Sequence, residues 1–132
     1  SMMGKLYRRR RPSLAPLTWN ALTYSASNVV VDCSLGNSYE AHYKLLLTNS
    51  TTQFGLPTSI PSTTKTYWIS LQQDSTGVRT VQWTNAATGF KFPGTTQPVI
   101  TTNANAQTLI MFATGPFTNS VLKYIGIVPQ NQ

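Results

Sequence analysis

Tyr39-Glu40-Ala41-His42-Tyr43-Lys44-Leu45-Leu46-Leu47-Thr48 is the stretch that decides the fold class. Tyr39, Ala41, Tyr43, Leu45 and Leu47 share one face of a period of two, and Glu40, His42, Lys44 and Thr48 occupy the other. Successive strand side chains point to opposite faces, so this alternation predicts a half-buried β-strand with a polar outer side. The same period continues outward. Tyr67, Ile69 and Leu71 alternate with Trp68, Ser70 and Gln72, and Leu109-Ile110-Met111-Phe112-Ala113 forms the apolar centre of a strand over 108–114. Shorter strands are expected within 17–24, 29–33, 78–83, 99–101 and 121–128. Asp74-Ser75-Thr76-Gly77 reads as a turn, with Val78 to Trp83 returning as the hairpin partner of the 67–72 strand. Residues 49–66 read as a long loop with a short strand near Phe54, because Pro57 and Pro61 exclude a central strand there. Thr88 to Gly94 is a turn-bounded aromatic segment, and no stretch carries a helical period.

Composition points the same way. The 132 residues contain 20 Thr, 12 Ser, 9 Asn and 8 Gln, and only 10% are charged, against roughly 25% in an average domain. That excess of uncharged polar residues disfavours a helical bundle and suits Thr-rich strands joined by polar turns. The expectation is therefore an all-β chain: a single antiparallel β-sandwich, jelly-roll-like, over residues 17–132. A basic arm over residues 1–16 precedes it, with Ser1-Met2 read as an expression remnant and Met3 as the natural start. Cys33 is the lone cysteine, so no internal disulfide is available, and within Val29 to Cys33 it reads as a buried, inert thiol. No run reaches the ~18 apolar residues of a membrane span, so neither a membrane partner nor a signal peptide is expected.

The net charge of +7 is concentrated at one end. Lys5, Arg8, Arg9, Arg10 and Arg11 supply five of the ten basic residues, and Pro12 and Pro16 stiffen the exit of the arm. Such a cluster suits docking on an acidic protein surface or neutralising phosphates; a merely solvated tail is the third reading.

The segment Gln73-Asp74-Ser75-Thr76-Gly77-Val78-Arg79-Thr80-Val81-Gln82-Trp83 resembles a QD-x-TG-x-RTV-x-W hairpin that recurs in tailed-phage virion proteins. Gly89-Phe90-Lys91-Phe92-Pro93-Gly94-Thr95-Thr96-Gln97-Pro98 is similar to the GFKFPGGT-x-P stretch that follows it in head-decoration, head-fibre and tail-fibre modules. Ser34-Leu35-Gly36-Asn37 fits a turn often carried upstream. The resemblance spans about residues 29–128 and departs from the pattern at Thr95, at Gln107 and over 115–126. It implies a phage virion surface module, made in the host cytoplasm and located on the capsid or tail. Homo-oligomerisation, as a trimer, is part of that expectation.

The motif residues themselves read first as scaffold. Asp74 is placed to cap its turn and pair with Arg79, Gly77 supplies backbone freedom, and Trp83, Phe90 and Phe92 are candidate core anchors. Three functions follow from the whole. The first is a non-enzymatic capsid decoration or head-fibre protein held to the major capsid protein, or another virion protein, by Lys5 and Arg8–Arg11. The second is a receptor- or glycan-binding tail-fibre or spike module, with Trp68 and Gln72 as ligand-binding candidates beside Ser70 and the 49–66 loop. The third is a small-virus coat protein whose arm binds genome, with nucleic acid ranked below protein as a partner because four clustered arginines are few. Catalysis is not expected: Asp32, Glu40 and Asp74 are scattered, and a glycosidase needs two converging carboxylates. His42 has no neighbour at metal-ligand spacing and reads as a solvated surface histidine, so no metal or cofactor is expected.

Overall fold

A computed structural model describes residues 17–86, 88–116 and 120–130. The arm, with Lys5 and Arg8–Arg11, lies outside the described residues. Nine strands follow in order: β1 (Trp19–Ala21), β2 (Asn28–Val29), β3 (Glu40–Leu47), β4 (Thr51–Phe54), β5 (Thr66–Gln73), β6 (Thr80–Trp83), β7 (Phe90–Lys91), β8 (Gln107–Ala113) and β9 (Leu122–Gln130). The one helical element among them is a single 3-10 turn, Pro93–Thr95. The chain is all-β, as the alternation in the 39–48 segment requires.

The pairing differs from the antiparallel expectation. One sheet runs β1-β3-β5-β8-β9-β7 and the other β2-β4-β6. Antiparallel pairing occurs at β5–β8 and β8–β9, whereas β1–β3, β3–β5, β2–β4, β4–β6 and β7–β9 are parallel. Parallel neighbours cannot be joined by a tight turn and need a long crossover. For β1–β3, β2–β4, β3–β5 and β4–β6 the crossover passes through the other sheet, whereas β7 reaches β9 by way of β8 of its own sheet. From β1 to β6 the chain alternates between the two sheets, and each return lays a strand in parallel beside the earlier one. Side-chain alternation encodes which residues face inward and carries no information on strand direction.

Three local assignments change with the topology. Val78 to Trp83 is not the hairpin partner of β5. Its ordered part, β6, joins β4 in the second sheet. Gln73, on the inward face of β5, donates its amide to Arg79 O (2.8 Å) and accepts from Arg79 N (2.9 Å). That grip holds the chain on the core side of the first sheet and delivers β6 to the second sheet. The expected 29–33 strand shrinks to β2 and 99–101 forms no strand, although Ile100 is buried. Tyr39 lies just outside β3 and is 71% exposed, so it does not continue the inward row of Ala41, Tyr43, Leu45 and Leu47.

The turn between β5 and β6 matches its reading. Asp74 Oδ1 accepts from Thr76 N (3.1 Å) and Gly77 N (3.0 Å), and Arg79 Nη2 donates to Asp74 Oδ2 at 2.9 Å. The Arg79 hydrogen bonds hold the Asp74 carboxyl below its ordinary range. Gly77 has φ +72°, and a Cβ there would sit 2.8 Å from Ala104 N and 2.9 Å from Thr102 O. Only glycine accepts both the backbone conformation and the crowding.

Side chains from both sheets share one core. Phe54 of β4 stacks on Trp83 of β6 with ring centroids 4.1 Å apart and planes 16° from parallel. Phe90 and Phe112 of the six-stranded sheet meet Trp83 at 4.9 and 5.1 Å, and Phe92 packs against Tyr124 at 5.6 Å. At the other end, a tyrosine–lysine cluster secures the segment after β2. Tyr43 donates its hydroxyl to Asp32 O (2.6 Å), and Tyr67 donates to Cys33 O (3.2 Å). Buried Lys65 donates to Cys33 O (2.9 Å) and Leu35 O (2.6 Å) and lies 5.3 Å from the Tyr67 ring centre. Burial pulls the Lys65 ammonium below its usual range and pushes the Cys33 thiol from 9.0 up to about 12.

Two outcomes follow. Trp83→Ala removes the ring common to both sheets and is expected to cost about 3–5 kcal/mol in urea unfolding; a loss below about 1 kcal/mol would show that the sheets do not depend on it. Between pH 9 and 12 the unfolded thiol ionises while the folded one keeps its proton. The folded chain then binds more protons, so stability falls as pH rises through that window. The urea midpoint should therefore drop from pH 8 to pH 10.5, and Cys33→Ala should reduce the drop without removing it, because burial also pushes the Tyr43 and Tyr67 hydroxyls up.

Candidate recognition face

The inward rows of β3, β5 and β8 build the core, so their alternate residues form the outer face of the six-stranded sheet. Register sets what meets there. Trp19 of β1 is level with His42 of β3, His42 with Trp68 of β5, and Trp68 with Met111 of β8. The rings form a ladder, with centroids 4.9 Å apart for Trp19–His42 and 5.7 Å for His42–Trp68. Glu40, two residues along the same strand, holds His42 Nε2 at 3.1 Å. His42 is therefore wedged between two indoles and hydrogen-bonded to a carboxylate; it is not the freely solvated histidine expected from the sequence. Cross-strand neighbours on one sheet face lie close enough for aromatic side chains to pack, which sequence separation conceals.

Beside the ladder runs a second row, Ala21–Lys44–Ser70–Leu109–Val128, and then a third, Leu46–Gln72–Gln107. All of these but Val128 line an open groove of about 630 Å³, with Trp19, Lys44, Ser70, Gln72, Gln107 and Leu109 among its walls. Trp19 is 43% exposed, and Leu46 and Val128 are also exposed. Gln72 and Gln107 are direct opposites in an antiparallel pair, both half-buried. Cβ atoms of such pairs lie about 5 Å apart, so the two glutamine side chains arise side by side along the groove.

Trp68 and Gln72 both occupy this face. Gln72 lines the groove, whereas Trp68 is half-buried in the neighbouring ladder, its Nε1 buried without an acceptor among the described residues. The exposed indole is Trp19. The 49–66 segment contributes nothing to the groove walls, and part of it is β4 of the other sheet. Lys5 and Arg8–Arg11 cannot be placed, lying outside the described residues. Trp19, Lys44 and Gln107 were missed as site residues because they come from three strands distant in sequence; the outward phase of each strand was readable, but their adjacency was not.

Every carboxylate side chain of the sequence is held locally. Asp32 accepts from Ser34 N (2.9 Å) and Oγ (2.7 Å), Glu40 holds His42, and Asp74 holds Arg79. Among the described residues no three His, Cys, Asp or Glu side chains gather as a metal site. No described helix is long and apolar enough to cross a membrane.

The ladder predicts a quenching order. In variants retaining one tryptophan each, the others replaced by Phe and folding checked by urea midpoint, acrylamide should quench Trp19 most, Trp68 less and Trp83 least, since Trp83 is only 2% exposed. Trp68 quenched as strongly as Trp19 would contradict the packing of His42 against it.

No protein-family model, curated protein or solved structure matches this chain.

Proposed function

We propose that this chain is a non-enzymatic structural protein of a phage virion, a capsid decoration or head-fibre module, which displays the outer face of its six-stranded sheet as a contact surface. The observation that carries the display half of this reading is the groove: an exposed indole, two glutamines paired across strands and one lysine arranged across four strands. The virion half is supported by the sequence resemblance. Its motif residues serve as scaffold, with Asp74, Gly77 and Arg79 in a turn and Trp83, Phe90 and Phe92 in the core. A motif spent on the frame leaves the opposite sheet face free to vary for contact.

In this proposal the two layers form a sandwich wound by repeated crossing between sheets, in place of a jelly roll. The arm, through Lys5 and Arg8–Arg11, anchors the body to an acidic capsid or other virion protein, and the assembled form is a homotrimer. A charged arm and a neutral body divide the work: attachment at one end, exposure at the other. The residues that follow Pro12 carry five basic and three acidic groups, which leaves the body little electrostatic pull of its own.

Immunogold electron microscopy of the parent virion tests the placement, with label expected over the head. Label at the tail tip would replace decoration with receptor binding, and its absence from intact particles would overturn a surface location. Deletion of residues 4–12 is expected to abolish attachment to capsids while leaving the urea midpoint unchanged. Full occupancy by the truncated chain would overturn the anchor.

A further inference from the structure

We infer that the groove on the outer face is a binding site for an oligosaccharide, with Trp19 as the stacking platform, Gln72 and Gln107 as hydroxyl partners, and Lys44 selecting for acidic sugars. The inference deepens the proposed contact surface and rests on its geometry, independently of where on a virion the chain sits.

The chemistry of the walls selects the class. A pyranose presents an apolar C–H face and a rim of hydroxyls that both donate and accept. It is recognised by an aromatic face beside groups that do the same. An amide side chain carries two donors and an acceptor, and Gln72 and Gln107 place two such groups opposite each other on the groove floor. Ser70 adds a hydroxyl in the adjacent row, level with Lys44 and Leu109. Trp19, on the edge strand β1, offers the exposed ring at the mouth of the groove. His42 packs against it from within, and Glu40 fixes His42, so the platform has a built support. Neighbouring strands are about 4.8 Å apart, an interval comparable to one sugar residue, and the walls span β1, β3, β5 and β8.

Other ligand classes fit this face less well. An extended peptide adds to a sheet through the backbone groups of an edge, and the groove walls lie on the face, where β3, β5 and β8 already have neighbours on both sides. A nucleic acid requires several cations along a track, and among the described residues Lys44 is the one charged side chain of the groove walls. A single cation among apolar and amide groups suits instead a sugar with one carboxylate. Pockets for small ligands are mainly apolar, with a few placed polar groups, and this groove has that balance.

The test is calorimetric and fluorescence titration of the full chain with a panel of neutral oligosaccharides and of uronic- and sialic-acid-containing ones. Saturable binding with a change in Trp19 emission is expected for at least one acidic member. Trp19→Ala should weaken it about tenfold, the scale of one lost aromatic contact, and Trp19→Phe should retain most of it. The pair Gln72→Ala with Gln107→Ala should weaken neutral and acidic ligands alike, whereas Lys44→Gln should weaken acidic ones only. Unchanged urea midpoints identify these as losses of contact and not of fold. No saturable binding across the panel overturns the inference, as does binding indifferent to Trp19→Ala and to the glutamine pair. Self-association of the wild type that disappears in Trp19→Ala would assign the face to a second copy of the chain and overturn it equally. None of these results bears on virion labelling, so the two readings fail separately.

Discussion

The contact between Trp83 and its aromatic neighbours is the constraint on which the rest of the structure depends. Trp83 stacks on Phe54 within the small sheet and meets Phe90 and Phe112 of the large one. The small sheet has strands of two to four residues, too short to hold one another by ladder hydrogen bonds alone. Rings of this size bury ~150–250 Å² each, and here that burial is what joins the two sheets. The short second sheet thus persists because its aromatic side chains are shared with the first.

That junction imposes a route on the chain. With one aromatic core shared by both sheets, a strand of one sheet continues most directly into the other, and the next returns beside the first. Parallel pairing is the product. Lys65, Tyr43 and Tyr67 do for the crossover after β2 what Gln73 does for the crossover into β6: each uses a buried side chain to satisfy backbone groups of a segment outside the nine strands. Buried backbone groups need such partners, and this supply of side-chain donors and acceptors explains part of the polar excess. The Gln97 amide repeats the device along β6, accepting from Trp83 N and donating to Trp83 O.

The outer face is a consequence of that winding. β1, β3 and β5 lie side by side in register, so one row collects Trp19, His42 and Trp68, positions spread over fifty residues of sequence. The next rows collect Lys44 and Ser70, then Gln72 and Gln107. Neither half of the surface is a local motif. It is a property of register, and a slip of one residue in any strand would exchange that strand's outward side chains for its core ones.

Much of the fold was legible in the sequence because its signals are local. The alternation at 40–47 and 67–72 marked the two longest inward-facing rows, the run at 108–114 marked a third, and Asp74 with Gly77 marked the turn. Their physics needs only neighbours in the chain: a side-chain period, a carboxylate over two backbone N–H groups, a glycine at positive φ. What the tertiary structure alone decided was direction and adjacency. Strand direction depends on where the connection travels, and the 78–83 segment went to the second sheet because buried Gln73 and the aromatic core received it there. His42 changed from a lone surface residue to the middle of an aromatic ladder for the same reason. Trp19 and Gln107, 88 positions apart by their numbers, share a groove only because four strands stand in one register.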